Sequence, residues 1–210
     1  NYAYITDGQF LSPYQYFKIL DISNPLRPTI TSSTQMLSVG DVVVAGQYVY
    51  MPYSDYGVRI IDVSDPQNPY VVAMYDTLPA GHLALEGDYL YMTNMSRIHI
   101  ADISNPTSPV FVGSFETATD ANCILPLWPY AYITEGMFDI FMGAFEIFDI
   151  TNRSAPSFLG RYAQVGAFGR CQVSGINAFV TVGDESVSHL LTLEISDPSN
   201  PILISSYDTV

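Results

Sequence analysis

A carboxylate, an imidazole, a carboxamide and a guanidinium recur at matching places along this chain. Asp41, His82, Asn122 and Arg170 each follow a small residue (Gly40, Gly81, Ala121, Gly169), at intervals of roughly forty to fifty residues. If equivalent positions converge, these four make a polar site of mixed charge, able to hold a small polar ligand or ordered water. Read as an enzyme, the set offers His82 as acid/base, Asp41 as its partner and Arg170 as a clamp on an anionic substrate. Read more plainly, four polar side chains hydrate a narrow channel. The choice depends on the elements that carry them.

Those elements are set by a repeat. RIIDVSDPQNP, residues 59–69, has near-copies in KILDISNPLRP, HIADISNPTSP, EIFDITNRSAP and LTLEISDPSNP. The anchoring residues Asp21, Asp62, Asp102, Asp149 and Glu194 lie roughly 40 to 47 residues apart, a period typical of propellers and solenoids. Inside residues 39–77, VGDVVVAG, QYVYMPY, VRIIDVS and YVVAMYDT read as four short strands. They are rich in Val, Ile and Tyr and bounded by Gly, Pro, Asp or Asn. No stretch carries a capped 3.6-residue periodicity, so helix is expected to be close to absent.

The predicted fold is all-β: a β-propeller of about five four-stranded blades in one domain spanning 1–210. The repeats run approximately 1–38, 39–79, 80–118, 119–164 and 165–210. Residues 1–38 supply only the second, third and fourth strands of a blade, and SYDTV ends where another innermost strand would begin. Nineteen strands are expected, the first blade lacking its innermost one. Either a five-bladed ring tolerates that gap or the chain is part of a longer propeller, and the second is favoured. The innermost strand lines a propeller's channel, so Asp41, His82, Asn122 and Arg170 should ring the axis at one level.

YAYITDG (2–8), VRIIDVSDPQNP (58–69), ADISNPTSPVFVGSFET (101–117) and EISDPSNPILISSYDT (194–209) resemble the LVIVD-repeat β-propellers of bacterial and archaeal surface or secreted proteins. The resemblance covers essentially the whole chain. Arg153 in place of the first proline of the fourth copy, and Glu194 in place of Asp in the fifth, depart from the pattern. The resemblance implies a fold and an extracellular or cell-surface setting, and little about activity.

The repeated turn itself looks structural. Its Asp ends a strand where the carboxylate can accept backbone N–H groups, and the Ser or Thr two residues on can do so more weakly. The first Pro sets the corner and the second opens an outer strand, where a missing N–H does little harm. Five such carboxylates could each hold Ca²⁺, but calcium loops converge several oxygens in one short segment and this motif has one or two. No cofactor or metal is therefore expected.

Composition narrows the partners. The chain carries 21 Asp+Glu against 7 Lys+Arg, a formal charge of −14. That balance argues against nucleic acid, whose phosphates need Lys and Arg, and against anionic lipid. No run approaches the 18 or so apolar residues of a membrane-spanning helix, so membrane insertion is not expected. Asp21, Asp62, Asp65, Asp102, Asp149, Glu194 and Asp197 belong to the turn motif, so much of the acidity says little about ligands.

Departures from the repeat are where partners could dock. GMFDIFMG, residues 136–143, inserts Met137, Phe138, Ile140, Phe141 and Met142 between two strands. Exposed, they form an interface patch; as a prolonged hairpin, they pack on a neighbouring blade. Trp128, in PLWP, is expected beside that region. Asp7, Asp55, Glu135 and Asp184 read as solvated loop acids, and His189 as a lone loop histidine. His99 aligns with Lys18, Arg59 and Glu146 at a position that takes any polar residue. Cys123 and Cys171 share a register in adjacent blades and are expected as buried free thiols.

The expected function is a non-catalytic binding or assembly module of the cell surface or extracellular space, with a protein partner or surface glycan. The alternatives are an enzyme using a small polar-ligand site at the channel mouth, and a structural subunit of an extracellular complex or filament. No Ser-His-Asp order, CxxC, HExxH or phosphate-binding glycine loop favours catalysis.

Overall fold

YVYMP and YLYMTN contain apolar runs without the alternation of a half-exposed strand, as expected where neighbours cover both faces of a sheet. A computed structural model places them so. It describes residues 1–8, 15–36, 41–53, 56–76, 79–137, 142–183 and 188–209, and the described residues contain nineteen strands and no α-helix.

Blade 1 is β1 (Tyr2–Gly8), β2 (Gln15–Asp21) and β3 (Thr29–Met36). Blade 2 is β4 (Val43–Ala45), β5 (Tyr48–Pro52), β6 (Val58–Asp62) and β7 (Tyr70–Tyr75). Blade 3 is β8 (Leu83–Glu86), β9 (Tyr89–Asn94), β10 (Arg97–Asp102) and β11 (Val110–Glu116). Blade 4 is β12 (Ala121–Leu127), β13 (Tyr130–Met137), β14 (Met142–Asp149) and β15 (Ser157–Val165). Blade 5 is β16 (Ala167–Ser174), β17 (Asn177–Gly183), β18 (Ser188–Glu194) and β19 (Ile202–Thr209). Each blade is an antiparallel meander with its strands in chain order, and the first has three strands. This is the β-propeller that the repeat predicts.

The core lies between blades. Leu90 and Met92 pack with Tyr50, Val58 and Ile60 of blade 2, while Tyr91 between them faces Ala131, Ile133 and Phe148 of blade 4. Alternate residues of one strand thus serve opposite interfaces, which is why both must be apolar. Phe17 and Ile19 meet Val49, Met51 and Ile61 between blades 1 and 2, and Phe145 and Ile147 meet Val180 and Leu191 between blades 4 and 5.

The proline turn is a corner. Asp21, Asp62, Asp102 and Asp149 each accept the backbone N–H two residues on, at 2.7 to 2.8 Å. The Asn or Asp three residues past each anchor repeats the device, with Asp65 accepting Gln67 N at 3.0 Å and Asn105 accepting Thr107 N at 3.2 Å. Hydrogen bonds from Ser64 are the main cause that holds the Asp62 carboxyl below its usual range. Glu194, one methylene longer, accepts the Ser196 hydroxyl at 2.7 Å instead. These corners stand at the ends of β2, β6, β10, β14 and β18, far from the strand ends that begin the innermost strands.

Arg153 has a reason to replace proline. Its guanidinium lies 4.1 Å from the Tyr89 ring centroid and 4.6 Å from that of Trp128. It also donates to Glu86 and, at 3.2 Å, to the Tyr91 hydroxyl. The fourth corner therefore pins blade 4 to blade 3 with a charge-assisted, cation–π contact.

Candidate functional site

A β-bulge aims the ring residues. Gly81 N donates to Thr93 O at 2.7 Å and Thr93 N to His82 O at 2.9 Å, so two residues oppose one. His82 N then donates to Thr93 Oγ1 at 2.8 Å. Blade 5 repeats this, with the pairing skipping from Phe168 to Cys171 and Arg170 N donating to Thr181 Oγ1 at 2.9 Å. The threonine explains the preceding glycine: a Cβ at Gly81 would lie 2.9 Å from Thr93 Oγ1, and at Gly169 2.7 Å from Thr181 Oγ1. Blade 4 carries Ala121 there, and Thr134 turns its hydroxyl to Gly169 O of the next blade. Thr93, Thr134 and Thr181 share one place in YMTN, YITEG and FVTVG, the sequence signal that marks this position.

Three of the four ring residues meet. Asp41 Oδ2 lies 2.6 Å from His82 Nδ1, and Arg170 Nη2 is 3.2 Å from Asp41 Oδ1. The three come from blades 2, 3 and 5. Burial would raise the Asp41 pKa, but hydrogen bonds and charge from His82 and Arg170 outweigh it and lower it to about 2. The ionised carboxylate suits the tautomer that carries its proton on His82 Nδ1, and in that tautomer Nε2 is an acceptor. The Arg170 side chain is 62% exposed, with further N–H donors for a ligand.

Asn122 does other work. Its Nδ2 donates to Gly136 O and Phe168 O, both at 2.9 Å, stitching blade 4 to blade 5. Cys123 and Cys171, next along, are buried free thiols, as expected.

Several expectations are corrected. Glu135 is not a solvated loop acid: it is fully buried, accepting Thr119 N and Arg161 Nη2, each at 2.7 Å. Glu146 is buried beside it, with Arg161 Nε 3.7 Å from its Oε1. A position that takes any polar residue on the other blades has here become half of a carboxylate pair sharing one guanidinium. Asp7 is exposed and paired with Lys18, while Asp55 and Asp184 lie outside the described residues. His189 sits within β18, not in a loop, with Nδ1 2.8 Å from Asp208 Oδ1.

The 136–143 segment prolongs a hairpin, with Gly136 opposite Gly143 and Met137 opposite Met142. Met142 is half exposed, and Phe138, Ile140, Phe141 and the Met137 side chain lie outside the described residues. Trp128 is not beside it. The tryptophan precedes β13 and the hairpin follows it, so the strand's length, about 26 Å for eight residues, separates them. The hairpin and the ring residues share one end of the propeller, while Trp128 and the proline corners share the other.

Residues 1–35, 38–77, 79–117, 129–164 and 166–209 each match the family described as LVIVD repeat. Among solved structures, the chain is similar to one titled a hypothetical selenium-binding protein from Sulfolobus tokodaii. The identity is 11% and the TM-score 0.73, over 94% of this chain and 59% of that one. It is also similar to a functionally unknown protein from Desulfotomaculum acetoxidans at 11% identity and TM-score 0.76, covering 98% of this chain and 67% of that one. At such identities the likeness shows the fold alone. No curated protein matches the chain.

Proposed function

The chain belongs to the LVIVD repeat family, and on that footing we propose that it is a non-catalytic binding module of the cell surface or extracellular space, with its ligand seated at the channel mouth. The observation that carries this reading is the meeting of Asp41, His82 and Arg170 from three blades. The guanidinium retains donors for an anionic oxygen, and the His82 acceptor suits a neighbouring hydroxyl. That pairing fits a small ligand bearing a carboxylate among hydroxyls, such as an acidic sugar unit of a surface glycan. The proline-corner acids stand at the other end of the blades, so the chain's net charge of −14 does not weigh fully on this mouth.

Calorimetric titration with uronic-acid oligosaccharides and their neutral counterparts tests the reading. The acidic sugars bind and the neutral ones bind weakly. Arg170→Gln weakens binding roughly tenfold or more, the scale of a charge-assisted hydrogen bond. Equal binding by Arg170→Gln, or no preference for the acid, overturns it. The 2.6 Å Asp41–His82 contact also favours a second reading, an enzyme with His82 as base. Under that reading His82→Gln abolishes turnover of a bound substrate while leaving its affinity nearly intact.

A further inference from the structure

Cys123 and Cys171 each follow a ring residue on the innermost strands of blades 4 and 5. Blade 4 is fastened to the innermost strand of blade 5 at two places. Asn122 Nδ2 donates to Phe168 O at 2.9 Å, and the Thr134 hydroxyl donates to Gly169 O. The clamp holds Cys123, opposite Thr134, and Cys171, opposite Val180, in one apolar cluster between blades 4 and 5. Two buried free thiols held in one cluster across a fastened interface are placed as an attacking thiol and its resolving partner must be.

We propose that Cys123 and Cys171 form a redox couple, which a small hydroperoxide oxidises to a disulfide joining blades 4 and 5. Both residues are less than a tenth exposed, so a small oxidant is admitted where bulky disulfides are not. The hydrogen bond from Cys171 is the largest influence on Cys123 and lowers its pKa; burial opposes it, and the Cys171 N–H and Arg170 reinforce it. The same hydrogen bond, burial and the adjacent negative charge push Cys171 upward, so it keeps its proton.

The Cys123 thiolate attacks the terminal peroxide oxygen. An S–O bond forms, the O–O bond breaks, and the departing alkoxide takes up the proton that Cys123 released on ionising. Cys171 sulfur then attacks the Cys123 sulfenic acid, its proton leaving with the hydroxide as water. Two thiols and one hydroperoxide give one disulfide, one alcohol and one water.

The test treats the whole chain with near-stoichiometric hydrogen peroxide and follows thiol content, intact mass and a peptide map. Both thiols disappear together, the mass falls by two hydrogens, the map joins the Cys123 and Cys171 peptides, and dithiothreitol restores both. Cys171→Ser stops at a single added oxygen on Cys123 that dimedone traps, and in Cys123→Ser the remaining thiol does not react on that timescale. Circular dichroism confirms that each variant is folded, and the wild-type map decides by itself if one is not. Over-oxidation of Cys123 with Cys171 still free overturns the proposal. So do thiols that ignore peroxide in the folded chain but react once it is unfolded.

Discussion

Glu146→Gln stabilises the protein at pH 8 by about 3 kcal/mol and leaves its stability near pH 4 almost unchanged. Burial is the main cause that raises the Glu146 pKa to about 7; the Glu135 carboxylate adds to it and Arg161 opposes it. Glu135 already takes Arg161 Nη2 at 2.7 Å, whereas Glu146 has only Nε at 3.7 Å, and its Oε2 is buried without a hydrogen-bond partner. One guanidinium is set against two carboxylates, and the less well paired one keeps its proton. The unfolded chain releases that proton near pH 4.5, and the folded chain holds it until about pH 7. Between those values the folded state binds more protons, so stability falls as pH rises and is lowest above pH 7. Glutamine does not titrate and escapes the loss. Thermal unfolding of both proteins at the two pH values reads it: at pH 8 the variant melts roughly 6–12 °C higher. A difference of the same size at pH 4 would falsify the retained-proton account and point to packing alone.

This pair also shows where the sequence stops being legible. The repeat, the nineteen strands of the described residues and the three-stranded first blade were readable, because blade architecture rests on local signals recurring at a fixed period. The ring was readable because equivalent positions in a repeat share one radius, and Asp41, His82 and Arg170 do meet. Which ring residue turns to another task was not. Asn122 serves backbone carbonyls because blade 4 has Ala121 and a displaced Thr134 hydroxyl, a consequence of contacts between blades. The Glu135–Glu146–Arg161 cluster was hidden for the same reason. Each member looks like a surface residue in its own strand, and only the longer β13–β14–β15 meander sets them side by side.

Gly160→Ala lowers stability by about 3 kcal/mol, towards the upper end of overpacking costs, although alanine is the smallest possible change. A Cβ at Gly160 would stand 2.4 Å from Pro198 O and 2.7 Å from both the carbonyl carbon and oxygen of Ser199. Every one of these atoms is backbone of the fifth proline corner, so no rotamer change relieves the contact and a whole corner must move. Gly113 meets the fourth corner in the same way, 2.4 Å from Arg153 O and 2.8 Å from Ser154 Cα. The pairing of the outer strand skips one residue just before each glycine, pressing the strand towards the next blade. The repeated turn is therefore more than a corner: its backbone is the wedge against which the preceding blade's outer strand closes. Gly175 separates this effect from backbone strain, since its φ is +60° and nothing lies within 4 Å of its Cβ position. Gly175→Asn costs no more than about 1 kcal/mol, because asparagine tolerates that φ and meets open space. Urea unfolding of the two variants, with the m-value held, distinguishes them. If Gly160→Ala unfolds at the wild-type midpoint while Gly175→Asn falls, conformational freedom rather than blade contact fixes these glycines, and the wedge is wrong.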